Sequence, residues 1–136
     1  MSARARDHEE AVIKAFVVPD KQERFLGFIS NAKRRDKFLR ELAHFRHLNP
    51  RFITPIPTRD HTPGALVSLL RGKGTGETCW VISEWERLDG REMSLESALS
   101  EIVGYGMGTI VSCVPGRLAY FEDEDGRFIL ERREAL

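Results

Sequence analysis

The chain has 136 residues, and its 21 basic side chains are matched by 21 acidic ones, so it is formally neutral. Its 41% apolar and 31% charged content is that of one globular domain, long enough to bury about two thirds of its unfolded surface. No apolar run approaches the roughly 20 residues that span a bilayer. The opening residues 1–8 turn acidic where a signal peptide needs an apolar core, so a cytoplasmic protein without membrane contact is expected.

The elements follow in order. Asp7, with Glu10 three residues on, reads as the cap of a first helix whose apolar stripe is Val12, Ile13, Phe16 and Val17. Pro19 ends it, and Asp20 with Glu23 reads as the next cap. Phe25, Phe28, Ile29 and Ala32 keep a 3.6-residue period, with a break expected at Asn31 or Asp36. Phe38, Leu39, Leu42, Phe45 and Leu48 then predict a long amphipathic helix, which closes a helical half at about residues 7–48. A proline-rich connection over 49–61 reads as extended surface chain.

In the second half, about 62–134, Thr62 and Pro63 start a short helix, and residues 78–85 are β-branched and aromatic like a strand. Ser94 caps a further helix, and strands are predicted at 109–114, 117–122 and 127–131. Pro115–Gly116 suits a type II turn and 123–126 a longer hairpin turn. The whole chain, 1–136, reads as a single α+β domain: N-terminal helices, then a small, mostly antiparallel sheet of about four strands with helices packed on one face.

The neutral total conceals a division. Residues 1–60 carry 13 Lys/Arg and 8 Asp/Glu, a net +5, and residues 61–136 carry 8 and 13, a net −5. The positive excess is concentrated at Lys33, Arg34, Arg35, Lys37 and Arg40, with His44 and His47 expected on the same helix. Lys33, Lys37 and Arg40 fall at i, i+4 and i+7, one stripe of a helix face. Such a face over 33–51 fits an acidic protein partner, or a second copy of the chain through its acidic half. The alternative partner is a nucleic acid, bound through phosphate contacts.

Other chemistry is thinner. Gly72, Gly74 and Gly76 recur as Gly104, Gly106 and Gly108, but both clusters run from helix into strand, where the dipole is negative and repels phosphate. They read as helix-ending caps. A hydrolase or transferase pocket would join these loops to Trp80, Glu84 and Trp85, with Glu84 as general acid or base. Glu41 and His44 have one helical metal-ligand spacing without a second pair, so no metal and no cofactor is expected. Cys79 and Cys113 lie in apolar runs and read as buried thiols. No catalytic residue is assigned, and no serine stands in a nucleophile-elbow pattern.

Overall fold

The computed structural model describes residues 3–133; residues 1–2 and 134–136, which the sequence reading includes in the domain, lie outside the described residues. Helix α1 spans Ala3–Phe16, so Asp7 sits inside it and not at its cap. A 3₁₀ turn over Pro19–Lys21 leads into α2 (Gln22–Ile29), which starts without a side-chain cap; Asp20 does not serve as one. Asn31 makes the next break, because its side-chain oxygen accepts from the N–H groups of Lys33 at 3.0 Å and Arg34 at 3.2 Å. Helix α3 (Ala32–Glu41) follows directly.

The predicted helix through residue 48 is corrected: α3 gives way to a 3₁₀ turn at Leu42–His44 and then to extended chain. The cause is pairing with the segment after α1. Leu48 bridges Val17, the Val18 N–H donates to the His47 carbonyl at 2.8 Å, and the Asn49 N–H donates to that of Phe16 at 2.7 Å. These backbone bonds cannot form from a helix.

Six strands make the sheet: β1 (Ile53–Pro55), β2 (Thr78–Ser83), β3 (Arg91–Ser94), β4 (Thr109–Val114), β5 (Leu118–Glu122) and β6 (Arg127–Glu131). Their order is β1-β6-β5-β4-β2-β3, and every neighbouring pair is antiparallel. The two strands beyond the predicted four are the edges. β1 lies within the proline-rich connection, and an edge strand tolerates the missing N–H of Pro55. β3 is four residues without an apolar alternation to betray it. Helices α4 (Pro63–Gly72) and α5 (Leu95–Ile102) start at side-chain caps, Thr62 and Ser94 respectively, as the sequence implied. Gly116, at φ +73°, completes the turn between β4 and β5.

Helices cover both faces of the sheet, not one. Trp80, Ile82, Ile110 and Phe121 pack against the three N-terminal helices through Ile13, Phe16, Phe25 and Phe38. The alternate residues Val81, Val111, Tyr120 and Ile129 pack against α4 and α5 through Leu66, Leu70, Leu95 and Leu99. A strand buried on both faces is apolar at successive positions, and β2, β4 and β5 are. No helix among the described residues is long and apolar enough to cross a membrane.

Gly108, just before β4, packs its backbone directly against the 3₁₀ turn at Leu42–His44. A Cβ there would clash with the backbone of Leu42 and Ala43, whereas one at Gly27 in α2 would meet nothing. Gly108→Ala is therefore expected to lower unfolding free energy by about 2 kcal/mol or more. Gly27→Ala is expected to raise it by about 0.5–1 kcal/mol. Urea denaturation of both variants checks the pair.

Candidate functional site

The basic residues of α3 separate by their angle around the helix. Arg35 precedes Phe38 by three residues, Leu39 by four and Leu42 by seven, so it belongs to the stripe that faces the core. Phe38, Leu39 and Leu42 are buried, and the Arg35 side chain is only 18% exposed. Its guanidinium donates to both carboxylate oxygens of Glu9 at 2.6 and 2.8 Å, and to both of Asp89 at 3.0 Å. Glu9, 2% exposed, also accepts from the Trp80 indole at 2.8 Å, and Asp89 accepts from the Ser83 N–H at 3.0 Å. Desolvation works against the Arg35 charge, but the hydrogen bonds and charges of Glu9 and Asp89 outweigh it and raise the pKa above arginine's ordinary value. Arg35 is therefore a clamp between α1, α3 and the β2–β3 connection. It is not part of the surface patch.

Lys33, Arg34, Lys37 and Arg40 are exposed, and none of the four forms an ion pair among the described residues. Elsewhere on the surface Arg4 pairs with Glu92, Arg71 with Glu96, Lys73 with Glu131 and Arg87 with Glu101, while Arg6, Arg24, Arg46 and Arg51 resemble the α3 cations in having no ion pair among the described residues. Lys37 and Arg24 instead lie over the partly buried ring of Phe28, 5.6 and 5.3 Å from its centroid. An aromatic ring thus sits among the cations, a feature invisible before α2 and α3 were placed side by side.

His44 and His47 do not share a helix face. His44 ends the 3₁₀ turn, with Nε2 3.4 Å from Glu124 Oε1. Its ring nitrogen and the carboxylates of Glu124 and Asp125 lie within 4.8 Å of one another, all exposed; the sequence spacing with Glu41 does not produce this group. His47 packs its ring against Phe25 and Phe45, at 5.5 and 5.6 Å.

Trp80, Glu84 and Trp85 do not line one pocket. Trp80 faces α1, where its ring stacks on His8 at 6.2 Å. Trp85 lies against the other cluster, with Tyr105 at 5.6 Å and the Arg87 guanidinium 4.6 Å over its ring. Glu84 stands just past the end of β2, and its carboxylate accepts from the Gly108 N–H at 2.6 Å. It lines a cleft of about 390 Å³ with Asp36, Leu39, Arg40, Glu86 and Asp89.

The second glycine loop does cradle an anion, but the anion belongs to the protein. Gly104 and Gly106 adopt positive φ and aim their N–H groups at the fully buried Glu122 carboxylate, at 3.1 and 2.8 Å. The Tyr120 hydroxyl donates to the same carboxylate at 2.7 Å, and Arg127 lies at 3.3 Å. Burial, then Glu122, pushes the Tyr120 phenol far above its usual range. In the first loop, Gly74 at φ +100° closes α4, with the Thr75 N–H on the Leu70 carbonyl. The two cysteines are free and buried, and burial pushes their thiols up to about 12 at Cys79 and about 11 at Cys113, so both stay protonated.

Among the described residues a serine and a histidine meet once: His8 Nδ1 lies 2.7 Å from Ser112 Oγ. Ser112 is fully buried on β4, which removes its hydroxyl from any substrate. Burial, then the charge of Arg4, lowers the His8 pKa, against smaller opposing pulls from Asp7, Glu92 and Glu9. Glu9, Asp89, His8 and Glu122 carry no sequence motif; the one available signal was Arg35 in register with the apolar stripe.

Arg35→Met leaves two carboxylates buried and unpaired, with an expected loss of about 3–5 kcal/mol in chemical denaturation. Arg35→Lys is expected to recover only part, because an ammonium lacks the fork that serves both carboxylates; Arg34→Met is expected to stay within about 0.5 kcal/mol of the parent. For His8, the folded protein binds its proton less readily than the unfolded chain. Its stabilisation is present above the ordinary value of 6.5 and is lost as pH falls below it. Unfolding free energy measured between about pH 7 and pH 5 is thus expected to fall less steeply in His8→Gln than in the parent. Comparison of the chain with protein-family models, curated proteins and solved structures gives no match.

Proposed function

We propose that the chain is a non-catalytic binding protein that takes an acidic protein surface on the outer face of α3, through Lys33, Arg34, Lys37 and Arg40. The observation that carries this reading is concentration: four exposed cations without an ion pair among the described residues stand within two turns of one helix, Lys33, Arg34, Lys37 and Arg40. Unpaired cations keep their full field, which speeds and orients the approach of an acidic partner. The Arg35 clamp supports the same reading, since it fixes the rotation of α3 and hence which side chains face solvent.

A protein partner is favoured over a nucleic acid by what lies beside the stripe. Asp36, Glu84, Glu86 and Asp89 share a cleft with Arg40. A phosphate backbone tracking the stripe would meet those carboxylates, whereas a protein surface of mixed charge can match both signs.

Immobilised poly-L-glutamate and a mixed-sequence oligonucleotide serve as probes. Binding of poly-L-glutamate that weakens with salt, and that falls at least about tenfold when Lys33, Arg34, Lys37 and Arg40 are all changed to Glu, is the expected result. Tighter binding of the oligonucleotide, equally sensitive to the four changes, would move the face to nucleic acid. No effect of the changes on either probe would remove the proposal.

A further inference from the structure

The acidic partner itself can be named from the geometry of α3. We infer that it is a second copy of this chain, docked about a two-fold axis beside α3; the inference rests on the binding role proposed above for the basic stripe.

Helix α3 carries both signs side by side. At about 100° per residue, the order around the helix is Arg34, Lys37, Lys33, Arg40 and then Asp36, all within about 160° of the outer face. Past Asp36 the surface drops into the cleft with Glu84, Glu86 and Asp89. Two of these carboxylates are already engaged, Glu84 by the Gly108 N–H and Asp89 by Arg35. Asp36 and Glu86 are exposed and form no ion pair among the described residues. Unpaired acids therefore border unpaired bases on one continuous surface.

Such a surface is complementary to itself. A two-fold rotation lays the basic stripe of one copy on Asp36 and Glu86 of the other, and the same operation makes the reciprocal contact. Had the two signs stood on opposite sides of the molecule, the same attraction would be head-to-tail and would grow open chains; their adjacency on one helix closes the pair. The formal charge of zero removes net repulsion between copies. Apart from Leu39 at the cleft, few apolar groups enter this surface, so the dimer is held by charge and dissociates with salt.

The test is sedimentation velocity on the full chain over a concentration series at low and high salt. The parent is expected to form a dimer at low salt that dissociates at high salt. Lys33→Glu with Lys37→Glu is expected to weaken the dimer at least about tenfold, and so is Asp36→Lys with Glu86→Lys. An equimolar mixture of the two variants is expected to dimerise again, because both contacts regain opposite signs. Circular dichroism confirms that each variant is folded. A parent that stays monomeric, a mixture that stays monomeric, or growth beyond the dimer would overturn the inference. A monomeric parent whose poly-L-glutamate binding still depends on the stripe leaves the proposed function standing without self-docking. Loss of both would remove the two together.

Discussion

Arg35 centres a largely buried network of Glu9, Asp89 and Trp80, and the arrangement of the N-terminal helices depends on it. A guanidinium that bonds two carboxylates through four N–H···O contacts cannot rotate or slide without leaving a charge unpaired in a poorly solvated place. Because Glu9 belongs to α1 and Asp89 to the connection between β2 and β3, the clamp ties three parts of the chain at one point. The indole of Trp80 and the backbone of Ser83 extend it into the sheet. The direction of Lys33, Lys37 and Arg40 toward solvent follows from the direction of Arg35 away from it.

A second buried group, Glu122 on β5, lies in the same cross-strand row as Ser83 and is held by the opposite means. Glu122 is an anion held by two glycine N–H groups, a phenol and an arginine. The loop that it holds presents Tyr105, 65% exposed and the only large apolar side chain so exposed among the described residues. Glu84, clasped by Gly108, joins that loop's end to the start of the acidic cleft. Both charges do structural work, and what they leave at the surface is a face of mixed sign around α3.

The parts of this architecture legible in the sequence were those with local causes. Thr62, Ser94 and Pro115–Gly116 act within four residues of themselves, and each occupies the place its chemistry implies. The parts that were not legible have distant causes. The residues after Glu41 follow a helical pattern, but Leu48 is drawn into a bridge with Val17, 31 positions earlier. Edge strand β1 exists because β6 offers it partners, and β3 because β2 does. The second helical cover was missed because apolar residues on successive strand positions do not say which element lies over each side. Arg35 is intermediate: its spacing to Phe38, Leu39 and Leu42 marked it for burial, but its partners Glu9 and Asp89 stand 26 and 54 positions away.

The claim on which the surface reading turns is that Arg35 is clamped inward while its neighbours are free. Exchange of the arginine Nε–H protons with water, followed by ¹H–¹⁵N NMR at mildly acidic pH, addresses it residue by residue. A slowly exchanging Arg35 signal, lost in Asp89→Ala because Asp89 accepts the Arg35 Nε–H, beside rapidly exchanging Arg34, is the result the account predicts. Equal and rapid exchange at Arg34 and Arg35 would contradict it, and the assignment of the outer face of α3 would fall with it.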